Sequence, residues 1–249
     1  MYTKGVDFTL ASGKSKLSGA KSDVVVLFAD LRGFSTWCNE AEIANVAEVI
    51  TVQYERVIQV CNDFHHHFHK FLGDGFLLLW EADTEMDSTV CLKHALGAVF
   101  EIHKKYWYLA KELGYKAPAG YGIGLSIGQA IRIQPETFIK EMNEVDFLGY
   151  PLNCSARMQS LAEPFGTTVC SATAARLAGA PNEFLYPNEP VFLRRLRKPT
   201  PAALEKAKGM KGLKPEDRVG FRYLTWPHGQ ASLWKVDGIP EREGSGLEM

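Results

Sequence analysis

Lys70-Phe71-Leu72-Gly73-Asp74-Gly75-Phe76-Leu77-Leu78-Leu79-Trp80 changes pattern twice, first at a Gly-Asp-Gly turn and then in an unbroken apolar run. The polar His65, His66, His67 and His69 lead up to it, so the stretch reads as strand, tight turn and buried strand. Asp74 falls at the hairpin tip, where flanking glycines let the backbone approach a ligand and a lone carboxylate needs a counter-charge. A second stretch, Asp23-Val24-Val25-Val26-Leu27-Phe28-Ala29-Asp30-Leu31-Arg32-Gly33-Phe34-Ser35, runs from apolar residues straight into Asp30. If the two strands are neighbours in one sheet, Asp30 and Asp74 meet at its edge and can hold divalent metal between them. Singly, each aspartate is an ordinary turn former or helix cap. Together, and with a third stretch from Val145 to Met158, they point to metal.

The composition bounds what else the chain can be. With 249 residues, 46% hydrophobic and 23% charged, it is an ordinary globular chain with room for one large domain or a domain plus an appendage. A net charge of -1 gives no basic field, so nucleic acid is not an expected partner. No apolar run reaches the roughly 18 residues that a membrane helix needs, and Met1-Tyr2-Thr3-Lys4-Gly5 lacks a signal peptide's apolar core; a cytoplasmic protein without membrane contact is expected. Cys38, Cys61, Cys91, Cys154 and Cys170 are odd in number and scattered, without paired zinc spacing, which predicts reduced thiols.

Taken in order, residues 1–22 are rich in Lys, Ser and Gly and predict a mobile arm or an edge strand. Gly13-Lys14-Ser15 within it lacks the spaced glycine and preceding hydrophobic strand of a phosphate loop. A strand is predicted from about Val24 to Asp30, then a helix from Ala41 to about Phe64, the hairpin, and a second helix from about Asp87 to Leu113. Ile123-Gly124-Leu125-Ser126-Ile127-Gly128 follows as a small-residue strand. Residues 129–145 read as a polar excursion, and from Pro151 the spacing is helical, which puts Asn153 and Arg157 on one face. Thr167 to Ser171 reads as a strand and Ala172 to Leu177 as a short helix. Residues 190–218, basic and Pro-rich, read as a solvated loop that could lie over a triphosphate. Gly220 to Leu224 and Ala231 to Val236 read as a closing hairpin, and Glu241 to Met249 as disordered.

Phe28-Ala29-Asp30-Leu31-Arg32-Gly33-Phe34-Ser35 and Lys70-Phe71-Leu72-Gly73-Asp74-Gly75 resemble the first two motifs of the class III nucleotidyl cyclases. Asp146, Gly149, Asn153 and Arg157 occupy the positions of that family's base-reading Asp, Gly, Asn and Arg. The resemblance covers roughly residues 22–178 and implies an α/β (α+β) fold with a βαββαβ core, a mostly antiparallel sheet and flanking helices, assembled as a head-to-tail homodimer. It divides the chain into an arm (1–22), a catalytic core (23–180), a C-terminal extension completing or covering the domain (181–240) and a tail (241–249).

The implied chemistry is attack of a ribose 3′-oxygen on the α-phosphorus of a nucleoside triphosphate, with pyrophosphate leaving and two Mg²⁺ or Mn²⁺ ions assisting. Asp30 and Asp74 would bridge the ions, helped by the Leu31 carbonyl; Asn153 would orient the ribose and Arg157 would meet charge on the α-phosphate. Loss of Arg157 should cost about 3 kcal/mol or more of barrier. Lys70 and Asp146 match the family's adenine-reading pair, and Phe34 stands in the first motif as a nucleotide contact. The stand-alone character and the aromatic tail look like the pyrimidine cyclases of bacterial antiphage (Pycsar) systems, whose product would pass to a separate effector. Tyr54, with Phe71 and Phe147, could narrow the pocket toward a single ring, or could simply be core packing. Lys140 is the candidate phosphate contact where the family often has an Arg, and the family's terminal-phosphate Lys has no clear match. A diguanylate-cyclase-type domain would carry an extra acidic pair at Gly73-Asp74-Gly75, and an inactive nucleotide-binding module would usually have lost one of Asp30, Asp74, Asn153 or Arg157. The histidine run is expected to be a polar strand edge rather than a metal site.

Overall fold

A computed structural model describes residues 6–9, 16–113, 117–136, 144–179 and 195–225. Their strands join in one sheet, in the order β3-β4-β2-β5-β7-β9-β8, with β1 on β2 and β6 on β5. These are β1 (Val6–Thr9), β2 (Lys16–Leu31), β3 (Phe68–Leu72), β4 (Gly75–Glu81), β5 (Tyr121–Glu136), β6 (Asp146–Leu148), β7 (Gly166–Val169), β8 (Arg195–Arg197) and β9 (Arg222–Thr225). All of these pairs are antiparallel except β5 with β7. The helices are α1 (Phe34–Glu40), α2 (Ile43–Asp63), α3 (Ser88–Leu113), α4 (Tyr150–Leu161), α5 (Ser171–Gly179), α6 (Pro201–Lys208) and α7 (Pro215–Gly220). From β2 to β5 the order is the expected βαββαβ, with the first helix split into α1 and α2.

Alternation along the central strands sorts the two faces. Val25, Leu27 and Ala29 of β2, Phe76, Leu78 and Trp80 of β4, and Ile123 and Leu125 of β5 form one core with the apolar stripes of α2 and α3. The Trp80 indole N–H reaches the Phe64 carbonyl at 2.7 Å, which satisfies the one polar group of that buried ring. The opposite face carries Val24, Val26, Leu77 and Leu79, packed against Phe147 of β6. On this face α4 lies against Gly124, where a Cβ would fall 3.0 Å from Gln159 Cα. The small residues of β5 therefore let α4 sit directly on the sheet. Asp87 starts α3 by accepting from the Thr89 and Val90 amides at 2.7 and 2.9 Å.

Several expectations need correction. The strand expected from about Val24 begins at Lys16, as β2, and pairs with β5 without interruption from Lys16↔Glu136 to Leu31↔Tyr121. Much of the expected polar excursion, residues 129–136, is thus strand, and β6 adds to it. Register links Lys70 through Leu77 and Phe28 to Gly124, whereas Asp146 pairs with Ile133. Nine residues of strand span about 30 Å if straight. Lys70 Nζ nevertheless lies 3.5 Å from Asp146 Oδ2, so the far ends of β2 and β5 curl back over their own sheet. The expected loop over 190–218 contains β8, α6 and α7. Ala207, Leu213 and Phe221 from this part pack on Cys154, Met158 and Leu161 of α4. Residues 220–224 do not need the expected hairpin partner, because β9 pairs with β7 and β8. Residues 231–236, the 241–249 tail, Gly13-Lys14-Ser15 and Lys140 lie outside the described residues. No helix among the described residues is long and apolar enough to cross a membrane.

Candidate active site

β2 delivers Asp30 to its C-terminal end, and the β3–β4 turn delivers Asp74 beside it. Gly73 has φ +73°, the left-handed conformation that such a turn needs. Gly75 serves close approach: a Cβ there would lie 2.8 Å from the Ala29 carbonyl and 3.2 Å from Asp30 Oδ1. Tyr54 of α2 holds the turn from outside. Its ring stacks on Phe71 at 4.0 Å, and its hydroxyl donates to the Gly73 carbonyl at 2.8 Å. Burial pushes the Asp74 carboxyl above the usual carboxylate range, and the negative charge of Asp30 pushes it further. Two carboxylates of one sign at one strand edge, all oxygen donors, are a donor set for hard divalent cations.

Two residues that the sequence reasoning missed organise this edge. Gln159 of α4 donates from Nε2 to Asp30 Oδ2 at 2.9 Å. Arg32 lies 3.6 Å from the same oxygen, donates from Nε to the Ala162 carbonyl at 3.0 Å, and donates again to the Gln159 carbonyl. Its guanidinium occupies the space over Gly122, where any Cβ would collide with it. Arg32 thereby joins the end of β2 to the C-terminal carbonyls of α4, where a cation is favoured. Burial lowers its pKa, and the charges of Asp30 and Glu163 act the other way. Arg32 stands inside the quoted first motif, so its position was visible; Gln159 gave no sequence signal.

The expected base-reading pair comes together as the Lys70–Asp146 ion pair. Asn153 and Arg157 are both exposed on α4, whereas Ser155 and Gln159 of the same helix are buried toward the sheet. The contact of α4 with the Asp30 carboxylate therefore comes from Gln159, on the side away from Asn153 and Arg157. Leu31 is buried and pairs with Tyr121 at the end of β2. Phe34, in α1, packs at the margin of the main core with its ring 5.7 Å from Trp37. Phe147 is buried against Phe68, with ring centroids 5.3 Å apart. The aromatic residues weighed as pocket walls are thus engaged with the hairpin and the core. In the histidine run, only His69 lies within β3. His66 and His69 contact each other at 2.9 Å, and His67 accepts from the Glu81 amide at 3.1 Å.

Known proteins share this fold. The structure is similar to a crystal structure of the guanylyl cyclase Cya2, with a TM-score of 0.61 and 18% identity over 91% of this chain and 97% of that one. It is similar also to the adenylyl cyclase CyaB from P. aeruginosa, with a TM-score of 0.59 and 13% identity over 83% and 95% of the two chains. A third similar structure is the guanylate cyclase domain of RhGC from Catenaria anguillulae in complex with GTP, with a TM-score of 0.56 and 12% identity over 82% and 97%. At these identities the likeness speaks for the fold. No curated protein sequence matches the chain. The family model for the adenylate and guanylate cyclase catalytic domain matches residues 18–194, well over half of the chain. The chain therefore belongs to the adenylate and guanylate cyclase family, the class III nucleotidyl cyclases.

Proposed function

We propose that this cyclase converts a nucleoside triphosphate to its 3′,5′-cyclic monophosphate and pyrophosphate in a homodimer, with each site built from two chains. The observation that carries this reading is the division of α4: Gln159 is buried and bonded to Asp30, while Asn153 and Arg157 are exposed. One chain presents its metal edge, and the exposed face of a second chain's α4 completes the site. Mg²⁺ or Mn²⁺ ions held by Asp30, Asp74 and the Leu31 carbonyl would acidify the 3′-hydroxyl and neutralise the departing phosphates.

The protein's own residues orient and stabilise. Gln159 and Arg32 fix the rotamer of Asp30, and Tyr54 fixes the turn that carries Asp74. Asn153 orients the ribose. The guanidinium of Arg157 meets charge developing on the α-phosphate, and Lys140 is assigned to the phosphates. Phe34 lies beside the nucleotide.

For the base, the resemblance to stand-alone pyrimidine cyclases supports UTP, ahead of CTP, with cyclic UMP as a messenger in antiphage defence. The Lys70–Asp146 ion pair favours a second reading, ATP, since this pair offers one donor and one acceptor to a purine edge. The test is to incubate the protein with manganese and each of ATP, GTP, CTP and UTP, and to identify products by mass, with Asp74→Ala as control. Cyclic UMP or CMP is expected as the main product. Cyclic AMP would replace this with the adenine reading, and no product from any triphosphate would overturn the catalytic proposal.

A further inference from the structure

Cys154 on α4, Cys170 between β7 and α5, and Asp217 on α7 place two sulfurs and a carboxylate oxygen within 4.8 Å of one another. Among the described residues this is the one such group of His, Cys, Asp or Glu. All three are buried, at 0%, 2% and 3% exposure. Their arrangement is directed. Asp217 Oδ1 accepts from the Ser171 amide at 2.8 Å and its hydroxyl at 2.6 Å, which turns Oδ2 toward Cys154 Sγ at 3.8 Å. The Tyr150 hydroxyl lies 2.6 Å from the same Oδ2. Cys170 Sγ receives the Thr173 amide at 3.4 Å and contacts the Thr173 hydroxyl at 3.1 Å. Hydrogen bonds of this kind orient ligands around a metal and stabilise thiolate charge. The donors to the buried Asp217 carboxylate are all neutral, so nothing among these contacts balances its charge.

We propose that Cys154, Cys170 and Asp217 bind zinc as a structural centre, with the Tyr150 hydroxyl holding Asp217 in place. Bond lengths of about 2.3 Å to sulfur and about 2.0 Å to oxygen put tetrahedral sulfur and oxygen ligands roughly 3.5 Å apart, a few tenths from the observed Cys154–Asp217 separation. Both thiols release their protons when the ion binds. The centre would clamp α4 to α5 and α7, which brings together segments 16 and 47 residues apart in sequence. It is distinct from the Asp30–Asp74 edge in position and in donor chemistry, since thiolates select softer ions than Mg²⁺.

The test is the metal content of the full chain, purified without chelator or added metal, by mass spectrometry of the elements. About one zinc per chain is expected, retained in Asp74→Ala and Cys38→Ser and falling below about a tenth in Cys154→Ser/Cys170→Ser. Replacing the ion with cobalt(II) should give a thiolate-to-metal charge-transfer band, and a strong zinc chelator should lower the melting temperature of the wild type. Because these readouts use the wild type, misfolding of the double variant does not decide the matter. Zinc below about a tenth per chain with no cobalt(II) charge-transfer band, zinc lost on Asp74→Ala, or a Cys154–Cys170 disulfide in the purified chain would each overturn the proposal.

Discussion

Replacing Gly122 with alanine should evict Arg32. The new Cβ would fall 2.7 Å from Arg32 Cζ and closer still to Nε and Nη2, against about 3.5 Å for atoms in ordinary contact. The guanidinium ends a flexible side chain and can swing away, but it then gives up the Ala162 bond at 3.0 Å, the Gln159 carbonyl and the Asp30 pair at 3.6 Å. Hydrogen bonds from a charged donor contribute about 1.5–3 kcal/mol each. The side chain is 21% exposed, so the lower end of that range applies, and the ion pair adds less than about 1 kcal/mol. Alanine returns about 0.5 kcal/mol through the unfolded chain. The expected net loss is about 3 kcal/mol. Arg32→Ala removes the same bonds, so the double variant should cost no more than about 0.5 kcal/mol beyond the larger single change. Urea denaturation of the four proteins measures this cycle. Fully additive losses, or a Gly122→Ala protein within about 0.5 kcal/mol of wild type, would refute the account of Arg32 seated over Gly122.

Burial lowers the His103 pKa to about 3, so the folded state keeps its imidazole neutral where the unfolded chain is already protonated. The sign follows: the unfolded state binds more protons between the two values, and stability falls as pH drops below the unfolded value. From pH 7.5 to pH 5 this should remove about 2 kcal/mol in wild type and nothing in His103→Leu, so the gap between the two closes by that amount; an unchanged gap in denaturation curves would dismiss it. Tyr54→Phe keeps the stack on Phe71 and loses the bond to Gly73. Its stability should change by no more than about 1 kcal/mol, while the metal concentration for half-maximal activity should rise; an unmoved metal dependence would count against Tyr54 as the holder of the turn. Asp74→Ala and Arg157→Ala should each be inactive, and mixed in equal amounts they should recover about a quarter of wild-type activity, through one intact site in half of the dimers. Continued inactivity of the mixture, once exchange of chains is shown, would exclude the shared site.

What was legible in the sequence was local. The Gly-Asp-Gly hairpin and the apolar run into Asp30 announce their strands within a few residues, and the spacing from Pro151 puts Asn153 and Arg157 on one face of a helix, α4, which the structure leaves exposed there. The misread parts are those whose partners decide their structure. Residues 129–136 mix polar and apolar side chains because they form part of a curled ribbon, and their strand character depends on pairing with the start of β2. The stretch read as a basic loop did contain two helix signals, Thr200-Pro201 and Lys214-Pro215, each with proline in the first turn. Composition masked them, and α6 and α7 are only 8 and 6 residues long. The Gln159–Asp30 bond joins residues 129 apart, and Cys154 meets Cys170 without any conventional ligand spacing. The few residues that announce a strand or a helix contain neither contact.

The curl of the β2–β5 ribbon separates two tasks that might otherwise be tied together. Asp30 and Asp74 are fixed where β2 ends and β4 begins, whereas Asp146 is carried to Lys70 by the far end of β5. A matched insertion or deletion of two residue pairs near Ser22↔Ala130 would shift the Asp146 end without turning its side chains to the other face, while leaving every pair from Val24↔Gly128 to Leu31↔Tyr121 in register. A lineage built on this architecture can therefore change the Lys70–Asp146 end by altering ribbon length, with the Asp30–Asp74 edge untouched.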